Sequence, residues 1–188
     1  MRAGSKITVF VLGLFLAGAF ALAEDVATPI NSQILKTDRK EMVLVQEVSI
    51  EAPVSEVWRA YTTSAGWMAW AAPLAEVDLR AGGTIRTHYG KDAKIGDPGT
   101  ITLHIVNYVP ERILTLRAEL SERWPAVMQE DDGKLMNVVV FEAQGESRTR
   151  LQSYGVGYRD LPEYDNLMQF FISANEGLFE KLKDHVEG

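Results

Sequence analysis

Two histidines are the residues whose type and spacing could carry acid–base or metal chemistry. His88 and His104 fall on two consecutive predicted strands. If they faced each other, they could transfer protons or supply two nitrogen ligands to a metal ion. Both occupy the polar positions of alternating strands, however, which places them on the solvent side or at the rim of a cavity. We therefore predict no catalytic residue and no metal site, and we keep His104 as a candidate ligand contact.

The other reactive side chains form no catalytic arrangement. The acidic run Glu130–Asp132 lacks the alternating spacing of a calcium loop, so we predict a solvated turn there. No Gly-x-Ser-x-Gly element marks a nucleophile, and Gly82-Gly83 lacks the spacing of a phosphate loop. The chain has no cysteine, which excludes thiol catalysis and disulfides. The sequence favours binding over catalysis, and no cofactor is expected.

Aromatic side chains are the more informative group, because their rings can shape a pocket while tryptophan and tyrosine keep a polar atom that orients a ligand. Trp70 and Trp124 are each next to a loop, so we predict them at the mouth of such a pocket. Asn175 interrupts the apolar side of the last predicted helix, so it either meets a ligand or satisfies a backbone group. The complete set of predicted ligand contacts is Trp70, Tyr89, His104, Trp124, Phe141, Tyr154, Phe171 and Asn175.

Hydrophobic periodicity predicts the elements that position these side chains. Residues 42–52 alternate as a strand, and Pro53 begins a helix that is followed by a second short helix. Several alternating strands come next, interrupted by a loop-like insertion over residues 121–134. Residues 161–186 keep apolar side chains on one side at helical spacing, with Asp160 as the predicted cap. The predicted class is α+β, ending in one long helix.

A set of short motifs carries a resemblance to a known family. The motifs are Ile50-Glu51-Ala52-Pro53, Val57-Trp58, Trp67 with Trp70, Asp78–Gly83, Pro110–Leu114 and Thr149–Leu151. In their order and spacing, over about residues 43–183, the chain resembles the START-like, or SRPBCC, superfamily. Within it, the chain is most similar to the type named after homologues of the heat-shock ATPase activator.

The resemblance implies a helix-grip fold. In that fold a curved antiparallel sheet, expected here to have about six or seven strands, wraps around the long C-terminal helix. Two short helices follow the first strand, and a cavity lies between the sheet and the long helix. Family ligands are small apolar molecules, lipids or polyketide-like compounds, and some relatives are enzymes. The resemblance therefore implies a small apolar or amphipathic ligand and no particular reaction.

The first residues have the three-part pattern of a secretory signal. Arg2 and Lys6 precede an apolar run over residues 7–20, and Ala21-Leu22-Ala23 offers the small residues that precede cleavage. An uncleaved anchor is the alternative, but the run is short for a span, which needs about 20 apolar residues. We predict a signal peptide over residues 1–23, an N-terminal arm over 24–40 and a START-like ligand-binding domain over 41–188. The protein is then exported, to the periplasm if it is bacterial.

The net charge of the mature chain limits the kinds of partner that it can bind. Cleavage after Ala23 leaves 17 basic and 26 acidic residues, a net charge of −9. Such a surface repels phosphate backbones and anionic lipid, so we expect no nucleic-acid partner and no docking on anionic membranes. Once the signal is removed, we also expect no stable membrane span. Most members of the resembled type are cytoplasmic, and an exported protein would not meet a cytosolic heat-shock ATPase.

Three functional hypotheses follow. The preferred one is an exported protein that binds a small hydrophobic molecule without transforming it. The first alternative is a cyclase, hydratase or hydrolase that uses the same cavity, which requires His88, His104, Arg86 or Tyr154 to point inward. The second alternative is an envelope module that binds a partner protein.

Overall fold

The computed structural model describes residues 30–188. The predicted signal peptide, residues 1–23, lies outside the described residues, as does the first part of the predicted arm.

One antiparallel sheet organises the described part of the chain. Its strands are β1 (Asn31–Lys36), β2 (Glu41–Ile50), β3 (Leu74–Val77), β4 (Thr84–His88), β5 (Ile101–Val109), β6 (Ile113–Ala118), β7 (Met136–Ala143) and β8 (Thr149–Arg159). They lie side by side in the order β1-β2-β8-β7-β6-β5-β4-β3, and every neighbouring pair is antiparallel. Side chains alternate between the two faces, so each strand turns one row toward the interior.

Four helices accompany the sheet: α1 (Val54–Thr62), α2 (Ser64–Trp70), α3 (Ala126–Glu130) and α4 (Pro162–Glu187). The paired short helices α1 and α2 directly follow β2, as predicted. The long helix α4 packs against the inner face of the sheet, where it contacts β2, α1 and α2. The α+β class and the helix-grip arrangement predicted from the sequence are confirmed.

The strand count is higher than predicted. The structure has eight strands within residues 30–188, against the six or seven expected. The additional strand β1 falls inside the stretch predicted as an N-terminal arm, so the sheet begins earlier in the chain than residue 41. It is an edge strand, and Ser32 and Ile34 are its only half-buried residues while the other four are exposed. Its sequence therefore shows little apolar alternation.

Two local predictions need correction. The insertion predicted as a loop contains α3, which is only five residues long and therefore too short to show a helical period. Asp160 does not cap α4, because the residue at the cap position is Leu161 and no side chain there accepts a backbone N–H. The Asp160 carboxylate instead accepts a hydrogen bond from Lys36 Nζ on β1, at 2.6 Å.

The core consists of two hydrophobic clusters along α4. The C-terminal half of the helix buries Phe179 and Leu182 against the centre of the sheet, α1 and α2. The N-terminal half buries Tyr164 and Met168 against β2 and the α3 segment. The space between the two clusters is a cavity.

No helix within residues 30–188 combines the length and the apolar character needed to cross a membrane.

Candidate ligand-binding cavity

The cavity has a volume of about 340 Å³ and lies between the inner face of the sheet and α4. Strands β4 to β8 form its floor, α2 one side, and the segment between β6 and β7 the other. Tyr89 and Ile101 both line it and are 55% and 37% exposed, so the cavity reaches the surface beside them. The remaining wall is mostly apolar, with leucine, methionine and aromatic side chains predominating.

Two tryptophans of α2 are fixed by hydrogen bonds to the end of α1. Trp67 Nε1 donates to the carbonyl of Tyr61 at 2.6 Å, and Trp70 Nε1 donates to the carbonyl of Ala60 at 3.0 Å. These carbonyls belong to the last turn of α1, which has no further helical donors. Gly66 allows this close approach, because a Cβ there would lie 2.5 Å from the Ala60 oxygen. The indole N–H groups are thus satisfied and the ring surfaces are left for the cavity wall.

The floor carries a pair of polar side chains on adjacent strands. Asn137 on β7 donates from Nδ2 to Ser153 Oγ on β8, at 2.7 Å. Both residues line the cavity, and Ser153 is 5% exposed. They follow the inward alternation of their strands, which continues through Val139, Phe141 and Leu151.

A bulge in β8 turns Tyr158 toward the cavity. Met42 pairs with Tyr158 and Leu44 pairs with Gly155, so β8 has one residue more than β2 between these pairs. Gly157 lies in this bulge with a φ of +91°. The extra residue reverses the alternation, and Tyr158 therefore points to the same side as Gly155. Burial raises the pKa of Tyr158 to about 12, so its phenol is neutral at physiological pH.

On α4, Asn175 is held by a polar chain that reaches the edge strand. Its Nδ2 donates to Gln46 Oε1 at 2.7 Å, and Gln46 Nε2 donates to Ser32 Oγ at 3.0 Å and to the carbonyl of Ile172 at 3.3 Å. Ser32 in turn donates to the Glu176 carboxylate at 2.7 Å. Gln46 is almost fully buried, so these partners satisfy an amide that would otherwise be costly to bury.

The segment between β6 and β7 closes the cavity with Trp124 and Met128. Asp131 anchors this segment. It is 1% exposed and accepts hydrogen bonds from Arg159 Nε at 2.7 Å, from the Tyr164 hydroxyl at 2.9 Å and from Lys134 Nζ at 3.3 Å. The prediction of a solvated turn is wrong at Asp131, because donors distant in sequence surround it.

The electrostatics of Asp131 follow from these contacts. Burial alone would raise the pKa of its carboxyl group. The hydrogen bonds from Arg159, Tyr164 and Lys134, together with the positive charge of Arg159, outweigh burial and hold the pKa below its ordinary value. The same carboxylate, after burial, is a cause of the raised pKa of Tyr164.

Five of the eight predicted contacts line the cavity together: Trp70, Tyr89, Trp124, Phe171 and Asn175. They come from α2, the loop after β4, the segment between β6 and β7, and α4. The sequence predicts Trp70 and Trp124 at the mouth of the pocket. In the structure both line its wall, and Trp70 is 6% exposed. Asn175 also lines the cavity, and its Nδ2 bonds the Gln46 side chain rather than a backbone group.

The other three predicted contacts lie elsewhere. His104 is on the outer face of β5, where its Nε2 is 3.1 Å from a Glu119 carboxylate oxygen. Tyr154 is also on the outer face, because Ser153 and Gly155 occupy the inward positions on either side of it. Phe141 points inward but is packed beneath α1, with its ring 5.1 Å from Trp58 and 5.3 Å from Tyr61 between centroids.

Several lining residues were not among the predicted contacts. Ser153 and Asn137 could have been found by following the strand alternation, which identifies small polar residues at inward positions. Thr87 could have been found in the same way on β4, where it is 4% exposed and lines the cavity. Tyr158 has no such signal, because the bulge reverses the alternation just before it.

Fold and cavity together define the class of this protein: it is a START-like protein of the helix-grip type. The family described as "Activator of Hsp90 ATPase homolog 1-like protein" matches residues 51–187. The chain belongs to this family, and the resemblance inferred from its motifs is confirmed. A search of curated proteins gives no match.

Solved structures with the same fold are distant in sequence. A protein from Mesorhizobium loti is 19% identical with a TM-score of 0.60, and the match covers 77% of this chain and 96% of that one. The Aha1 dimer from Colwellia psychrerythraea is 16% identical with a TM-score of 0.60, over 77% and 96% of the two chains. CalU16 from Micromonospora echinospora is 17% identical with a TM-score of 0.52, over 81% and 84%. At these identities the likeness concerns the fold alone.

Proposed function

We propose that this chain is an exported START-like protein that binds a small, mostly apolar molecule in the cavity without transforming it. The observation that supports this most is the cavity itself, about 340 Å³ between sheet and long helix with a largely apolar wall. A volume of this order is typical of small-molecule sites.

The composition of the cavity wall determines which interactions supply the binding free energy. Burial of apolar surface contributes about 25 cal/mol per Å², so a ligand that buries roughly 200 Å² gains about 5 kcal/mol before the cost of association. One hydrogen bond adds only about 1 kcal/mol net. The apolar wall therefore supplies most of the affinity, and the polar side chains supply selectivity.

The positions of the candidate catalytic residues favour binding over the enzymatic alternative. Arg86, His88 and His104 are on the outer face of their strands, opposite to the inward residues Ile85 and Thr87. Tyr154 is on the outer face of β8. None of these four lines the cavity, so the version of the enzyme hypothesis that depends on them lacks a site.

A tryptophan placed in the cavity tests the binding site. Leu103 on β5 lines the cavity, and its neighbour Thr102 points to the opposite face. We expect Leu103→Trp to weaken binding of the neutral fluorescent probe N-phenyl-1-naphthylamine at least tenfold, because the indole occupies the space that the probe needs. Thr102→Trp on the same strand should change the affinity less than twofold.

Two further measurements make the result decisive. Thermal unfolding of both variants checks that they fold, and Ala118→Phe, whose residue pairs with Leu103 across β5 and β6, provides a second way to fill the cavity. Equal probe affinity in the wild-type chain and in both filled variants would show that the probe binds elsewhere, and the proposal would be wrong.

Export is part of the same proposal and rests on the residues before Glu24. If the signal is removed as proposed, the mature protein begins at Glu24, which intact-mass measurement of the protein from fractionated cells determines. A chain that retains Met1 and is recovered only from the cytoplasmic fraction would contradict export.

A further inference from the structure

A patch of polar side chains gathers on one side of the cavity. Asn137 and Ser153 are joined by their 2.7 Å hydrogen bond. Gly155 pairs directly with Asn137, and a Cβ on Gly155 would lie 3.6 Å from the Tyr158 hydroxyl oxygen. The Tyr158 hydroxyl is thus next to the Asn137–Ser153 pair, in a space that a side chain at Gly155 would restrict.

Asn175 extends this patch from the helix side. Gln46 is the cross-strand partner of Ser153, and it accepts the hydrogen bond from Asn175 Nδ2. The Asn175 side chain therefore reaches the sheet beside Ser153. We define the polar patch as Asn137, Ser153, Tyr158 and Asn175, all of which line the cavity.

The polar patch retains hydrogen-bonding capacity in both directions. Within residues 30–188, no donor reaches Oδ1 of Asn137 or of Asn175, so both are open acceptors. Ser153 Oγ already accepts, which leaves its proton to donate, and the Tyr158 hydroxyl has no partner in the same range. Every fully buried side-chain nitrogen or oxygen among these residues is satisfied, so the open atoms face the cavity space.

Formal charge is missing from this wall. Of the described residues that line the cavity, none is aspartate, glutamate, lysine, arginine or histidine. A carboxylate or ammonium group placed there would lose its hydration without gaining an opposite charge, which is far more costly than burying a neutral polar group.

We propose, building on the function above, that the ligand is an uncharged apolar molecule carrying a hydroxyl group that binds the polar patch. A hydroxyl donates and accepts at once, so it can satisfy an asparagine Oδ1 while it accepts from Ser153 or Tyr158. A carbonyl can use only the donors of the patch and leaves its acceptors open.

Three ligands of one ring system test this proposal by isothermal titration calorimetry at pH 7 with the full chain. They are naphthalene, 2-naphthol and 2-naphthoate, which differ in the presence of a hydroxyl and of a charge. We expect 2-naphthol to bind at least tenfold more tightly than naphthalene, because it adds hydrogen bonds to the patch. We expect 2-naphthoate to bind at least tenfold more weakly than 2-naphthol.

Variants on β8 locate the effect. Tyr158→Phe removes only the hydroxyl and should weaken 2-naphthol binding at least threefold while changing naphthalene binding less than twofold. Tyr154→Phe makes the same chemical change on the outer face and should alter neither.

The outcomes separate the two proposals. If naphthalene and 2-naphthol bind equally, or if 2-naphthoate binds as tightly as 2-naphthol, the proposed ligand chemistry is wrong while binding in the cavity stands. The same holds if Tyr158→Phe weakens naphthalene and 2-naphthol alike. If none of the three ligands binds, and N-phenyl-1-naphthylamine does not bind either, both proposals fail.

Discussion

Asp131 shows how a single side chain holds the cavity wall in place. Its carboxylate is almost completely buried, and its donors come from β8, α4 and its own segment. A buried carboxylate is tolerated only with such partners, and loss of one member leaves the others unsatisfied. The contact therefore ties the segment that carries Trp124 and Met128 to the rest of the protein.

We expect Asp131→Asn to lower the free energy of unfolding at pH 7 by about 2–3 kcal/mol, because the amide keeps the shape but loses the charge and one acceptor. Chemical denaturation of the variant and of the wild-type chain measures the difference. Asp132→Asn, a neighbour that the structure shows exposed, is the matched control and should change stability by less than about 0.5 kcal/mol.

The pH dependence of this effect follows from the sign of the pKa shift. The folded-state pKa of Asp131 is lower than its ordinary value of 3.8, so its contribution is fully present above that value. It is lost as the pH falls from there through the folded-state pKa. The stability difference between wild-type and Asp131→Asn should therefore be constant near neutral pH and shrink below about pH 4. A difference that stays constant down to pH 3 would contradict this assignment.

At the residue scale, the alternation of apolar and polar residues along a strand predicts which face of the sheet a side chain is on. It placed His88 and His104 on the polar side of their strands, and the structure has both on the outer face. The same alternation places Tyr154 outward, between the inward residues Ser153 and Gly155, although its aromatic side chain favours a ligand contact. Asp131 could not be predicted, because its partners Arg159 and Tyr164 are 28 and 33 residues away in the chain.

At the scale of elements, the β8 bulge determines what the cavity presents to a ligand. Gly157 has a φ of +91°, and a Cβ there would lie 2.2 Å from the carbonyl oxygen of Lys134. Any other residue must therefore accept backbone strain and displace the chain just before β7. Because Tyr158 follows immediately, a distorted bulge would also move its hydroxyl relative to Asn137.

We expect Gly157→Ala to destabilise the protein by at least about 2 kcal/mol, the sum of left-handed backbone strain and the steric clash. Gly145→Ala is the matched control, since Gly145 has a φ of +82° with nothing within 4 Å of its Cβ position. The control should lose only about 1 kcal/mol, the backbone contribution alone. Equal losses in thermal or chemical denaturation would show that the clash with Lys134 is relieved without cost.

Elements with a strong period were predictable, and elements shaped by neighbours were not. The helix α4 was evident from apolar side chains at helical spacing over 26 residues, and β2 from its alternation. The edge strand β1 buries too little to show a pattern. The bulge in β8 brings Gly157 close to the carbonyl of Lys134, a residue distant in the chain, and the alternation of the strand does not record that contact.

At the scale of the whole molecule, the cavity results from the way α4 divides its contacts. Its two halves belong to different hydrophobic clusters, and neither cluster fills the space between them. The family resemblance predicted a hollow between sheet and helix, but its volume and polar patch depend on which side chains meet there. The volume and the polar patch depend on the strand register and on the β8 bulge, which the family resemblance does not specify.

The most direct test of ligand binding in the cavity is native mass spectrometry of the protein purified from its own compartment. We predict a fraction of molecules with an added mass of a few hundred daltons that is lost on denaturation and is absent from the Leu103→Trp variant. The bare polypeptide mass in the folded wild-type protein, or an added mass that persists undiminished in Leu103→Trp, would contradict the account.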